Sequence, residues 1–275
     1  MANILFCIND SCTQLLRTCL YSLKKSSGLD RLDVYIICSE LKEENRKLIR
    51  GMEDDRVSVS FINFDENCIS SAPVFDRYPL EIYFRLFASE LLPHSIDRIL
   101  YLDVDIICIN SLRELYNTDI DNYYFAGCSH TRKLLTKINS IRLGLDNNTA
   151  DTYLNTGVLL MNIRLLRNVF SKEAVISCIE QKKGALILPD QDILMSLYGS
   201  RIKRLDYLKY NLSDRMFRLY NLTAGKKAMD IDDVRKQVCL IHYCGRYKPW
   251  KKFYNGLLGI FYYETENELR QLDQD

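Results

Sequence analysis

Long apolar runs, a strong charge of one sign and closely paired cysteines are all missing from this chain of 275 residues. No stretch approaches the roughly 20 apolar residues of a membrane-spanning helix, so a helical membrane protein is excluded. The formal net charge is +1, without the basic surplus that nucleic-acid binders use, and no nucleic-acid partner is expected. The opening "MANILFCIND" has neither a basic n-region nor a long apolar h-region, so no secretory signal peptide is expected. Internal repeats, low-complexity segments and linkers are absent as well, and one domain over residues 1–275 is the simplest organisation. Ten cysteines occur without any C-x-x-C pair. Cys7, Cys38, Cys108, Cys128 and Cys239 lie in or beside apolar runs, as buried reduced thiols do. A reducing, cytoplasmic setting is therefore expected, where the sequons at Asn147, Asn211 and Asn221 carry no glycan.

What is present is a regular alternation. "NILFCI", "LDVYIICSE", "VSVSFINF" and "DRILYLDVD" read as strands. Between them lie the helical patterns "CTQLLRTCLYSLKKSSG", "KEENRKLIRGM" and "LEIYFRLFASELLP". Leu15, Leu16, Cys19, Leu20 and Leu23 follow helical spacing, and Gly28 is a fitting stop. Four such alternations in about a hundred residues indicate an α/β fold with a doubly wound, mostly parallel sheet flanked by helices. The second half is less regular: "YYFAGCS", "TGVLLMNI" and "QVCLIHYCG" read as strands, "KEAVISCIEQKK" and "DQDILMSLYG" as helices.

The run "ILYLDVDIICIN" interrupts apolar residues with Asp103 and Asp105. Placed where a parallel strand runs out, both carboxylates stand at the edge on which such sheets carry their sites. Two like charges there are costly unless a cation joins them, and carboxylates favour hard divalent ions that also hold phosphate. Acidic pairs at strand ends also serve as plain turn entries, and the triplet alone does not separate the two readings.

Set beside other segments, "RILYLDVDIICINSLRELY" resembles the metal-binding segment of the family 8 glycosyltransferases, retaining enzymes of the GT-A, Rossmann-like nucleotide-sugar-binding fold. "FCINDS", "YFRLFASELLP", "YLNTGVLLMN", "DQDIL" and "HYCGRYKPW" match the family's order and spacing, over about residues 3–255. Within the family the likeness is to bacterial galactosyl- and glucosyltransferases that extend lipopolysaccharide or other surface glycans. The residues after about 252 then form a helical tail.

The resemblance implies a role for each matching position. Asp103, Asp105 and His242 would bind a metal, Mn²⁺ before Mg²⁺ because of the imidazole. Ile8 and Asp10 would meet uracil and ribose, with Asn9 standing where the family often has Asp; a simple N-cap is the other use of Asp10. Arg85 would reach the donor sugar and Asp103. Asn155, Asp190 and Gln191 would line the hexose, with Gln191 at its β face. Gly245 and Lys248 would hold the diphosphate in a loop that closes over UDP, with Trp250 packed against it. His130, where related galactosyltransferases carry an acceptor-binding Asp, becomes the acceptor candidate, and "SHTRKLLTKINSIRLGLDNNT" an acceptor lid. Since Gln191 is no carboxylate, a front-face mechanism is favoured over a covalent intermediate. The acidic "ETENELRQLDQD" lacks a basic membrane anchor, which leaves at most peripheral contact with the inner membrane face.

The expected activity is metal-dependent transfer of glucose or galactose from UDP-glucose or UDP-galactose to a glycan acceptor. Two other classes use the same residues: a sugar-nucleotide hydrolase or non-catalytic UDP-sugar-binding protein, and a scaffold whose polar motifs are only turns.

Overall fold

The structure is a computed structural model that describes residues 1–74, 79–130, 142–143 and 153–274. Its frame is a seven-stranded sheet in the order β3-β2-β1-β4-β7-β6-β8. These strands are β1 (Ala2–Cys7), β2 (Leu32–Cys38), β3 (Val57–Asn63), β4 (Arg98–Leu102), β6 (Phe125–Cys128), β7 (Asn155–Asn162) and β8 (Ile202–Leu205). β1, β2, β3 and β4 run parallel; β7 is antiparallel to β4 and β6, and β8 is parallel to β6. The mixed, mostly parallel sheet expected from the alternation is present. The strand β8 was not legible, because "IKRL" is half polar.

Period-two alternation sorts the strand residues onto two faces. Ile4, Phe6, Leu100 and Leu102 pack under α1 (Thr13–Ser26) and α2 (Glu43–Arg50). Leu5, Ile99, Tyr101, Leu159 and Met161 face the other layer, built from the helices Lys172–Lys182 and Pro189–Tyr198. Each fully buried Leu or Ile contributes about 1.5–3 kcal/mol. On α1 the stripe Leu16, Cys19, Leu20 and Leu23 is completely buried. Gly28, at φ +64°, ends the helix in the left-handed region that a side chain would disfavour.

Two segments depart from their sequence patterns. "LEIYFRLF" is a 3-10 helix over Leu80–Phe87, continued as α-helix only over Ala88–Leu91. Here the buried Arg85 donates from Nε to the Ile82 carbonyl at 3.0 Å, within its own turn. The strand "QVCLIHYCG" leaves the main sheet. As β9 (Leu240–His242) it pairs antiparallel with the short strand β5 (Ile106–Cys108), with Ile106 opposite His242. The tail is helical over Gly259–Leu272 and is held to α1 by Lys25–Glu268 at 2.6 Å and Arg17–Asp273 at 2.5 Å.

β1 has β2 on one side and β4 on the other, so chain direction through the sheet switches between β1 and β4. Ligand crevices form outside the carboxyl ends of strands at such a point.

Candidate active site

A cavity of about 1300 Å³ opens there. Ile8 and Asn9 reach it from the turn after β1, Asp103 and Asp105 from the end of β4, and Asn155 and Thr156 from the start of β7. The helix Pro189–Tyr198 adds Asp190 and Gln191, and the loop after β9 adds Gly245 and Lys248.

The acids sit in a turn, not along a strand face. β4 ends at Leu102, and Asp103 N donates to the Gly157 carbonyl at 2.8 Å before the chain swings into β5. His242 arrives beside this turn because β9 pairs with β5. Its Nε2 lies 3.1 Å from Asp105 Oδ1 and 3.6 Å from Asp103 Oδ2. One ligand atom from each of the three residues falls within 4.8 Å of the others. Gly157 is the close neighbour that makes room: a Cβ there would stand 2.7 Å from Asp103 Oδ2 and overlap His242 Cε1.

The protons around this cluster favour a cation. Asn211 Nδ2 donates to Asn155 Oδ1 at 3.0 Å, which turns Asn211 Oδ1 toward His242 Nδ1 at 2.9 Å. With Nδ1–H used on that amide, the neutral imidazole points the Nε2 lone pair at the acids. Asp105 Oδ1 is buried and has no hydrogen-bond partner among the described residues, a state that is costly for a carboxylate oxygen unless a cation meets it. Two carboxylates and an imidazole suit Mn²⁺ chemistry, with Mg²⁺ the harder alternative. Burial alone would raise the Asp105 carboxyl, but the charge of Lys248 beside it overrides this and holds the carboxyl well below the usual range. Lys248 Nζ is 2.5 Å from Asp105 Oδ2 and donates to the Tyr243 carbonyl at 2.6 Å.

Behind the metal-type cluster is a buried cationic post. Arg85 is 5% exposed. Its Nη1 contacts Asp103 Oδ1 at 3.0 Å, Asp190 Oδ2 at 3.4 Å and the Thr156 carbonyl at 3.0 Å. The guanidinium also covers the Tyr101 ring at 4.2 Å, and Tyr101 Oη donates to Asp103 Oδ1 at 2.6 Å. Thr156 Oγ1 donates to Asp190 Oδ2 at 2.5 Å. Burial pushes the Asp190 carboxyl up, partly opposed by Arg85. The second acid of "DQD", Asp192, is fully buried and turned away. It accepts from the Ile187 and Leu188 amides and from Tyr153 Oη, and pairs with Arg142.

Two sequence expectations meet a different arrangement. Asp10 is not among the residues lining the cavity. Its Oδ1 accepts the Lys42 amide at 2.9 Å and Asn45 Nδ2 at 2.6 Å, at the start of α2, while Asn9 faces the cavity. His130 does line the cavity, but Nε2 is 2.6 Å from the Asn211 carbonyl oxygen and Nδ1 3.8 Å from Cys244 Sγ. Both ring nitrogens are thus engaged within the protein, and burial holds the imidazole down to about 3. The acceptor-lid segment lies outside the described residues except for Ser129, His130, Arg142 and Leu143. Trp250 packs on Tyr262 at 5.3 Å and edge-on to Tyr243, bracing the loop that carries Lys248.

Asn211, which holds Asn155 and His242 through its amide, is the residue of this cluster that the sequence did not indicate. As part of a sequon it carried no signal, and its partners are 31 and 56 residues distant in the chain.

Comparison with known proteins follows the same outline. The family model described as glycosyl transferase family 8 matches residues 3–253. A Haemophilus influenzae protein described as a glycosyltransferase is 26% identical over 257 residues, covering 91% of this chain and 73% of the relative. The lipopolysaccharide 1,2-glucosyltransferase of Escherichia coli is 26% identical over 230 residues, covering 81% of this chain and 64% of that protein. Among solved structures, the galactosyltransferase LgtC, in complex with donor and acceptor sugar analogues, superposes with a TM-score of 0.80. It is 20% identical, with 97% of this chain and 95% of that one covered.

Proposed function

We propose a function from one premise: the chain belongs to glycosyl transferase family 8. In this reading it is a metal-dependent, retaining hexosyltransferase that moves glucose or galactose from UDP-glucose or UDP-galactose to a glycan acceptor. The observation that carries the reading is the convergence of Asp103, Asp105 and His242 at the mouth of a large cavity, with Lys248 beside them. The relatives support it: one is named as a lipopolysaccharide glucosyltransferase, and LgtC was solved with donor and acceptor analogues. The cavity volume exceeds the 300–1,000 Å³ usual for a single small ligand, which suits two substrates.

Asp103, Asp105 and His242 are the residues that would hold Mn²⁺. When bound, the ion supplies positive charge against a diphosphate leaving group. Lys248 offers a further cation there, and Gly245 lets the backbone approach phosphate. Arg85, fixed by Asp103 and Asp190, holds the carboxylates around the hexose. Ile8 and Asn9 flank the nucleoside, while Asn155, Asp190 and Gln191 line the sugar. Asp190 is occupied by Thr156 and Arg85, and Gln191 is a weak nucleophile, so front-face transfer is favoured. The bond from the anomeric carbon to the phosphate oxygen breaks as the acceptor oxygen bonds to that carbon. The hydroxyl proton passes to the departing phosphate oxygen, on the same face, and configuration is retained.

The ten cysteines form no disulfide, and no described helix is long and apolar enough to cross a membrane. Both suit a cytoplasmic enzyme with at most peripheral membrane contact. The test is incubation with UDP-glucose or UDP-galactose, Mn²⁺ and lactose or lipopolysaccharide core oligosaccharide, read by mass spectrometry and NMR. Glycosylated product with a retained α-linkage supports the proposal. Free hexose alone assigns the chain as a hydrolase, and absence of UDP binding by calorimetry removes the nucleotide-sugar reading altogether.

A further inference from the structure

The cavity holds more positive charge than a nucleotide sugar uses. Among its described residues, Arg85 and Lys248 are the cations that form ion pairs. Arg215, Arg218, Arg246 and Lys251 also line it, with no carboxylate within ion-pair distance among the described residues. At the donor end the carboxylates Asp103, Asp105 and Asp190, with Glu81 also lining the cavity, against Arg85 and Lys248 leave two negative charges. A divalent cation and a diphosphate diester, of opposite and similar magnitude, leave that balance nearly unchanged. The four remaining cations outnumber that excess. Asp214, on the same wall, is occupied by Tyr254 Oη and by the Leu258 amide at 3.2 Å.

We propose that Arg215 and Arg218 form an acceptor subsite for an anionic oxygen group, a phosphate or a carboxylate, on the glycan being extended. The proposal rests on the hexosyltransferase reading above and names its acceptor class. The two arginines are three residues apart on the helix Asp214–Ala224 and so share a face. Among the described residues each is anchored by a single bond: Arg215 Nη2 donates to the His130 carbonyl at 2.8 Å, and Arg218 Nη2 to the Asn255 carbonyl at 3.2 Å. A guanidinium carries five N–H donors, so each keeps several for a ligand, in the planar fork that matches phosphate and carboxylate. The anchors also locate the subsite. His130 packs against His242 with ring centroids 6.4 Å apart, which sets Arg215 next to the reacting end of the cavity. Both arginines are exposed, as an entry site for a large glycan requires. Arg246 and Lys251, from the loop after β9, add positive potential that steers an anionic acceptor inward.

The experiment uses the full chain loaded with Mn²⁺ and UDP, and compares it with the R215A/R218A double variant by calorimetry. The probes are lactose, sialyllactose and inorganic phosphate. For the unaltered protein, sialyllactose is expected to bind at least tenfold more tightly than lactose, and phosphate to bind saturably with UDP already in place. In the variant both anionic probes should lose tenfold or more, while UDP affinity stays the same, which also confirms folding. Equal binding of lactose and sialyllactose, or no saturable phosphate binding, overturns the subsite. So does a variant that loses UDP instead, since the arginines would then belong to the donor. Loss of UDP binding by the unaltered protein would sink the underlying hexosyltransferase reading, a distinct outcome.

Discussion

His242 stands between two kinds of partner: its Nε2 lies 3.1 Å from Asp105 Oδ1, and its Nδ1 lies 2.9 Å from Asn211 Oδ1. The amide selects the tautomer, and the tautomer aims a lone pair at the two acids. Asn211→Ala is therefore expected to weaken Mn²⁺ binding by about 10–100-fold, as loss of an outer-shell partner usually does. Titration followed by electron paramagnetic resonance of free Mn²⁺ measures this without any turnover. Unchanged Mn²⁺ affinity would show that the imidazole orients itself.

Gly157 should tolerate no side chain. In Gly157→Ala the added Cβ meets Asp103 Oδ2 and the His242 ring, so one of them must move. A shift on the order of 1 Å in a reacting constellation costs about 100-fold, and Mn²⁺-dependent UDP binding should fall accordingly. Gly184, outside the cavity, is the control: a Cβ there meets nothing within 4 Å. If both alanine variants bind UDP alike, crowding at Gly157 is not what shapes the site.

Removing Arg85 should cost stability as well as activity. Asp190 is 4% exposed and would be left as a buried charge. Breaking a buried ion pair from one side costs about 3–5 kcal/mol. Urea denaturation of Arg85→Ala should show a loss of that order, and Arg85→Lys a smaller one with activity still impaired, because an ammonium lacks the Nε donor to the Ile82 carbonyl and the planar group that covers the Tyr101 ring. A midpoint for Arg85→Ala equal to that of the parent chain would mean that the acids are solvated or protonated in its absence.

Asp10 gives a pH signature at α2. Its carboxyl is lowered by the hydrogen bond from Asn45 and then by that of the Lys42 amide. A depressed carboxyl stabilises the fold above its unfolded value, about 3.9, and this contribution is lost as pH falls through the folded value. The stability difference between the parent and Asp10→Asn should thus be constant above about pH 5 and shrink below about pH 4. A difference that persists into acid would point to the shape of the side chain and not its charge.

Much of this was legible in one dimension. Period-two runs and the helical stripe Leu16, Cys19, Leu20 and Leu23 encode which face is buried, and burial is a local demand that each residue answers by its own polarity. The elements of the first hundred residues follow from it, as does the carboxyl end of "RILYL" as the place to look for chemistry. Even the grouping of Asp103, Asp105 and His242 could be expected, through motif resemblance.

Periodicity cannot say which of two adjacent polar groups a distant segment will claim. Asn9 and Asp10 are neighbours, yet α2 takes Asp10 and leaves Asn9 to the cavity. Asp190 and Asp192 are two residues apart, yet one faces Arg85 and the other Arg142. Asn211 became part of the site because Asn155, at the start of β7, and His242, at the end of β9, lie on either side of its amide. Residue type and local pattern determined the elements and the chemistry available to them. The pairing of β5 with β9, and the packing that brings the loops to the sheet's switch point, decided which side chains meet, because hydrogen-bond partners are selected by distance in space and not along the chain.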